Sequence, residues 1–199
     1  MMKSENRGSV KSRQVETRPY RESDWEMVQN VCLETASMEG AFEEPIKSMM
    51  LTAFCNYYIE EEREQCFVAA DGAQVVGYIL CAKDSKKWAE RFSVKYISNP
   101  EKNPLKEFYQ GIMTAPIRYA DRYPAHLHID ILPEYQRQGI GFQLMDTLTV
   151  HLREQGVPAV MLSVAGDNEK GKNFYRKYGF QVLEETPHEI VMGRFTSHL

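Results

Sequence analysis

Apolar and polar positions along this chain fall into short runs of period two and longer runs of helical period. Gln14 to Tyr20 alternates and stops at Pro19, which predicts a short first strand. Ser23, with Glu26 three positions on, reads as a capping box, and Trp25, Val28 and Cys32 follow on one helical face. A second helix is expected from about Pro45, where Met49, Met50, Ala53, Phe54, Tyr57 and Tyr58 form a stripe. Such a stripe is core packing or, in a rival reading, the wall of a substrate site. CFVAA and QVVGYILCA flank Asp71-Gly72, the turn signal of a hairpin.

The stretch 84–124 then changes character. KKWAERFSVKYI and LKEFYQGIMTAPIRYA look helical, and the breaker-rich SNPEKNP separates them. HLHIDIL (126–132) is the next strand, and Gly139 to Gln155 is a helix with Leu144, Leu148 and Leu152 on one face. Ala159 to Val164 is a strand, and Asn168 to Tyr178 a helix ended by Gly179. FQVLEE and EIVMGRF close the chain as a hairpin-like pair. A hairpin followed by alternating strands and helices predicts an α/β fold, one mixed sheet with helices on both faces. The expected division is a flexible tail at 1–13 and one domain at 14–199, with 84–124 as a helical insertion.

Composition narrows the function classes. A chain of 199 residues with 43% hydrophobic content suits one domain with a real core. A net charge of −4 speaks against a nucleic-acid partner held by bulk charge and is weakly compatible with a cationic substrate. Cys32, Cys55, Cys66 and Cys81 lack paired metal spacing and read as reduced core thiols. The polar first dozen residues do not resemble a signal peptide, and no stretch has the length and apolarity of a membrane span. The expected location is the cytoplasm, without membrane attachment.

PEYQRQGIG (133–141) carries the chemistry. A glycine in a helix costs about 1 kcal/mol relative to alanine, so Gly139 and Gly141 at a helix start need a reason. Between a strand and a helix, unpaired N–H groups and the helix dipole make an anion site, and glycines let a phosphate approach. The spacing lacks the third glycine of the dinucleotide fingerprint and the Gly-Lys-Ser/Thr of a P-loop. Upstream, His126, His128 and Asp130 share one face of an unbulged strand, and Leu127 and Ile129 the other. That polar face suggests a cleft. H-x-H-x-D also allows a metal-binding sensor, although nothing else in the chain completes a site.

The whole segment resembles the GNAT (GCN5-related) N-acetyltransferase superfamily. Gln136, Gly139 and Gly141 match its Q/R-x-x-G-x-G/A signature, and Ile131, Pro133 and Tyr135 its upstream V-x-P-x-Y/F. Asn168, Phe174, Tyr175, Gly179 and Phe180 match a second motif, with Gly171 where alanine is usual. The likeness covers the last 75 or so residues closely and RPYRESDWE near the start more loosely. HLHIDILPEYQ is also similar to bacterial acetyltransferases related to the domain appended to some O-GlcNAc hydrolases.

The resemblance implies a mostly antiparallel GNAT-like sheet and an N-acetyltransferase that moves an acetyl group directly from acetyl-CoA to a primary amine, with no metal. The acceptor would be a small molecule or a peptide, and the protein a monomer or homodimer. A strand that opens at a bulge near Ile129 to Ile131 would offer backbone N–H groups to the thioester carbonyl. The implied cofactor-binding residues are Ile129, Ile131, Leu132, Gln136, Arg137, Gln138, Gly139, Ile140, Gly141, Asn168 and Tyr175. Tyr175 would protonate the leaving thiolate. The base stays open between Asp130, better placed, and His128, whose ordinary pKa near 6.5 is the better match. Ala125 occupies the position where some histone acetyltransferases carry a glutamate base. A non-catalytic acyl-CoA-binding or protein-interaction module of the same fold is the alternative. Ser85 to Tyr123 is expected to wall the acceptor site, with Tyr109 and Tyr119 facing outward, or else to cover a sheet edge or a dimer contact.

Overall fold

A computed structural model describes residues 15–36, 40–97 and 104–197; the expected tail and most of the SNPEKNP breaker lie outside them. Seven strands form one sheet in the order β1-β2-β3-β4-β5-β7-β6. They are β1 (Val15–Pro19), β2 (Phe67–Asp71), β3 (Gln74–Ala82), β4 (Ala125–Ile131), β5 (Ala159–Ala165), β6 (Gln181–Glu185) and β7 (Glu189–Phe195). Every neighbouring pair is antiparallel except β4 and β5. This is the mixed, mostly antiparallel sheet expected from the sequence.

The helices are α1 (Trp25–Thr35), α2 (Ile46–Leu51), α3 (Tyr57–Glu61), α4 (Ser85–Tyr96), α5 (Lys106–Tyr119), α6 (Ile140–Glu154) and α7 (Glu169–Lys177). Helix α2 passes into α3 through a π-helical turn, Thr52–Asn56, a rare geometry that is frequent at functional sites. The Met and aromatic stripe is core for the most part: Met50, Ala53, Tyr57 and Tyr58 are buried. Ser23 is not the cap of α1. The segment Glu22–Asp24 makes a 3-10 turn, and it is the Asp24 carboxylate that reaches back to the Arg21 N–H at 2.8 Å. Asp24 is buried, so it needs a charged partner, and Arg18 grips it with two bonds of 2.7 and 2.9 Å.

Strand alternation assigns the two faces of the sheet. His126 of β4 pairs with Met161 of β5 and, across β3, with Ala82. On their face lie α3 and α4, through Tyr58 and Ser85, and α5, through Ala115 against Met161. On the other face α6 buries Leu144, Leu148 and Leu152, and α7 packs on it through Phe174. The four cysteines are buried free thiols.

Candidate active site

Strands β4 and β5 run parallel and pair at two positions, Ala125 with Val160 and His126 with Met161. Beyond them the strands part, while β4 stays in unbroken register with β3 as far as Ile131. The expected bulge is therefore absent from β4, and the sheet opens by divergence of its two central strands. The Leu132 N–H donates to Val76 at 2.9 Å. Alternation then turns the N–H groups of Ile129 and Ile131 away from β3 and into the gap. Leu132 does not join them: its N–H is spent on Val76 and its carbonyl accepts from the Tyr135 N–H, so it is withdrawn as a ligand residue.

At the end of the gap the chain forms the motif loop. The Gln136 side-chain amide donates to the Ile131 carbonyl at 2.9 Å, and that of Gln138 to Glu134 at 2.9 Å, which braces the loop against the strand end. Arg137 has φ 61° and Gly139 φ 83°. The left-handed region costs a non-glycine residue roughly 1–2 kcal/mol, and such stored strain clusters at ligand sites. The N–H groups of Arg137, Gln138 and Gly139 find no partner among the described residues. Those of Ile140, Gly141 and Phe142 open α6, where no helical partner exists. Six consecutive N–H groups beside the exposed Arg137 side chain make an anion cradle.

The two glycines have different reasons. Gly139 caps α6 in a conformation other residues avoid. At Gly141 a Cβ would meet the Phe174 ring at 2.9 Å, so close packing of α6 on α7 demands the glycine whether or not a phosphate is near. A packing reason also accounts for Gly171, where a Cβ would press on the Asn168 side chain at 2.9 Å. Asn168 itself caps α7 by accepting the Gly171 N–H at 2.9 Å; that bond is structural.

On the opposite face lies a cleft of about 280 Å³, lined from several elements. Phe54 and Tyr58 come from the π-turn and α3, Trp88 from α4, and Ile112 and Pro116 from α5. The floor is His126 to His128 of β4 and Met161 to Ala165 of β5, and His188 and Glu189 stand at the turn into β7. The 84–124 segment reaches this cleft through Trp88, Ile112 and Pro116, whereas Tyr109 and Tyr119 do not face outward as expected. Tyr109 is buried and packs edge-on against Phe92 at 5.4 Å, and the Tyr119 hydroxyl donates to Glu184 at 3.0 Å. The same segment also covers the sheet, with Ala115 and Tyr123 against Ala159, Met161 and Val191.

The polar face of β4 is a hydrogen-bonded array. Tyr78 of β3 donates to Asp130 at 2.6 Å. Burial raises the Asp130 carboxyl above the usual range, and the bonds from Tyr78 and Thr35 oppose that. Burial lowers His128 to about 4, and burial with the neighbouring His128 lowers His126 further below 6.5. Both imidazoles are neutral at pH 7. Tyr175 sits between the Phe174 and Phe180 rings. Burial, then the Asp130 charge, raises its hydroxyl well above 10, so it is a protonated donor at neutral pH. Among the described residues no three His, Cys, Asp or Glu side chains converge as a metal would require. No helix of the described residues is long and apolar enough to cross a membrane.

This geometry has known parallels. The chain is 32% identical to SsHAT, whose crystal structure it matches with a TM-score of 0.76 over 92% of this chain and 98% of that one. The PaiA N-acetyltransferase from Thermoplasma acidophilum, solved in complex with coenzyme A, shares the fold at 18% identity and a TM-score of 0.59, over 92% of this chain and 99% of that one. A mycothiol acetyltransferase of Propionibacterium freudenreichii is 39% identical over 51 residues, which is 26% of this chain and 16% of that protein's length. The family model described as Acetyltransferase (GNAT) family matches residues 25–180. That match runs from the first helix through both motifs, and the chain belongs to the GNAT acetyltransferase family.

Proposed function

We propose that the protein transfers an acetyl group from acetyl-CoA directly to a primary amine of a small molecule. The observation that carries this reading is the gap between β4 and β5, with an anion cradle at its end and a largely apolar cleft, floored in part by His126 and His128, on the other face. A thioester lying in the gap is open to an amine from the cleft. The pyrophosphate would lie on the N–H groups of Arg137 to Phe142, and the thioester carbonyl would accept from Ile129 or Ile131. Backbone donors already aimed at a developing oxyanion stabilise it without reorganisation.

The amine must lose a proton to attack. An amine of pKa about 10.4 is neutral about once in a thousand at pH 7.4, a deficit of roughly 4 kcal/mol. Asp130 and His128 are the acceptors within the site, directly or through a water. The amine nitrogen bonds to the carbonyl carbon, the carbon–sulfur bond breaks with its electron pair on sulfur, Tyr175 gives that thiolate a proton, and the proton shed by the new amide nitrogen restores the Tyr175 hydroxyl. The walls favour an amine carried on an apolar body. Phe54, Ile112, Pro116, Met161 and Leu162 are among the apolar residues that line it, and Glu189 is the one carboxylate among the described lining residues.

The test is thiol release from acetyl-CoA over a panel of aryl-alkyl, alkyl and polycationic amines and a lysine peptide, with product masses. Amine-dependent release with a mass gain of one acetyl group, fastest with apolar primary amines, is expected. Coenzyme A binding with no release for any amine would show the non-catalytic module instead.

A further inference from the structure

One tyrosine hydroxyl stands between two imidazoles. Tyr58 Oη lies 3.0 Å from His126 Nε2 and 3.0 Å from His128 Nε2. Behind them, Ser85 Oγ lies 2.8 Å from His126 Nδ1. Tyr58 and Ser85 are fully buried and His126 nearly so, at 0%, 0% and 3% exposure. His128 is partly exposed and lines the cleft. The result is a chain of hydrogen bonds, Ser85 to His126 to Tyr58 to His128, with its inner end sealed and its outer end at the site.

The stoichiometry of hydrogens constrains this chain. A phenol carries one proton, so Tyr58 can donate to one Nε2 and must accept from the other. One histidine therefore carries its proton on Nε2 and the other on Nδ1, and the two tautomers are always opposite. Either sense is a complete set of bonds between neutral groups. In one sense the Ser85 hydroxyl donates inward, and His128 holds Nδ1–H. In the other, His126 donates its Nδ1–H to Ser85, and His128 holds Nε2–H with Nδ1 bare. Among the described residues, His128 is hydrogen-bonded through Nε2, to Tyr58.

We propose that Ser85, His126 and Tyr58 form a relay that presents His128 to the cleft with a bare Nδ1 and accepts the proton of the attacking amine. This deepens the acetyltransferase reading and rests on it for the source of the proton. His128 is the catalytic residue; Tyr58, His126 and Ser85 are positioning residues. The step balances as follows. The ammonium proton bonds to His128 Nδ1, which makes an imidazolium whose Nε2–H points at Tyr58 Oη. The Nε2 proton moves to that oxygen as Tyr58 gives its own proton to His126 Nε2. The positive charge is then on His126, one ring further from the reaction, with its Nδ1–H held by Ser85 Oγ. No atom leaves the chain, and the shift reverses when the charge returns to the cleft.

The surroundings support a relay of this length. Burial of His126 and partial burial of His128 disfavour a permanent charge on either ring, so a charge held there is transient. The ionisable groups facing the chain are Asp130, two residues along β4 and occupied by Tyr78, Cys81 of β3, Tyr57 of α3, Glu62 and Cys66 beyond α3, and His188 and Glu189 across the cleft. Trp88 of α4 packs on His126 at 4.4 Å, with the rings 68° apart, which holds that imidazole in place.

The direct experiment is nitrogen-15 NMR of the imidazoles in the substrate-free wild-type protein. His126 and His128 should show opposite tautomers, and the same tautomer at both positions would overturn the relay. Tyr58→Phe keeps the ring and removes the hydroxyl. It should mix the two tautomers and lower the single-turnover rate by about 10- to 100-fold, with the KM for acetyl-CoA within twofold. The dependence of that rate on the deuterium fraction of the solvent should be curved in wild type, with several protons in motion, and linear in Tyr58→Phe. A purely structural hydrogen bond would also mix the tautomers when removed, but it would leave the single-turnover rate and the curvature unmoved. Opposite tautomers with an unchanged rate in Tyr58→Phe would overturn the use assigned to the chain. Opposite tautomers with no amine acetylated would instead remove the acetyltransferase reading on which it rests.

Discussion

The two ends of the β4–β5 gap are made of different material. The loop Gln136 to Gly141 offers backbone: N–H groups, a left-handed Arg137 and a left-handed Gly139, within six consecutive residues. The cleft on the other face offers side chains from the π-turn, α3, α4, α5, β4, β5 and the turn before β7. A backbone cradle suits a ligand part that never varies, since its donors belong to every residue type. A wall of side chains gathered from distant elements suits a part that differs between proteins, since its partly exposed members, such as Phe54 and Ile112, can change with little cost to the core. Invariance is thus built at one end and specificity at the other.

The largest effect that separates the two ends is expected in acid. His128 falls from 6.5 to about 4 on folding, and burial takes His126 well below 6.5 as well. The unfolded chain therefore binds more protons between those values, so stability is full above about pH 6.5 and declines as pH falls towards 4. One histidine shifted this far is worth up to about 3 kcal/mol. Asp130, raised by burial, acts in the opposite direction. Denaturant midpoints at pH 7, 5.5 and 4 should fall steeply in wild type and less steeply in His128→Asn. Equal slopes would detach the cleft from the acid response.

Tyr175→Phe should lower kcat by roughly 10²-fold when chemistry limits the rate. The KM for acetyl-CoA should hold, because the ring stays between Phe174 and Phe180. An unchanged kcat removes the hydroxyl from the mechanism. Gly141→Ala sharpens the comparison further. Its Cβ must displace the Phe174 ring, and overpacking of this kind costs about 1–3 kcal/mol. Thermal unfolding should show that loss; full stability with weakened coenzyme A binding would mean the glycine serves the phosphate alone.

The smallest expected effect lies on the cleft wall. Ile112→Ala trims an aliphatic side chain that is partly exposed, and should raise the amine KM about 3- to 10-fold, as a few lost methylenes do. Coenzyme A affinity by calorimetry should not move. A parallel loss of both affinities would show that the two ends are one site, contrary to the division drawn here.

The same division decides what could be read from sequence. Elements came through because they are local: each helix needs its own periodicity, and Gly179 and Asp71-Gly72 mark their own turns. The cradle came through because six adjacent residues carry it. The opening of β4 from β5 did not, since divergence of two strands whose paired residues, such as Ala125 and Val160, lie far apart in the chain leaves no mark in either, and the family resemblance predicts a bulge instead. Ser23 was taken for a cap because it fits the local pattern, whereas Arg18 makes Asp24 the better partner through a contact the pattern does not contain. Tyr109 looked outward and is buried, and Ile112, three positions on, faces the cleft. The role of Tyr58 was hidden in an aromatic stripe, since meeting His126 and His128 spans about 70 residues of chain.

Amide and side-chain NMR during a titration with coenzyme A, followed by an accepted amine, tests the division of labour most directly. Coenzyme A should shift the amides of Arg137 to Phe142 with those of Ile129 and Ile131, and leave the Trp88 indole and the Ile112 methyls in place until the amine is added. Shifts centred first on Phe54, Trp88 and Ile112, with the loop amides unmoved, would contradict the account.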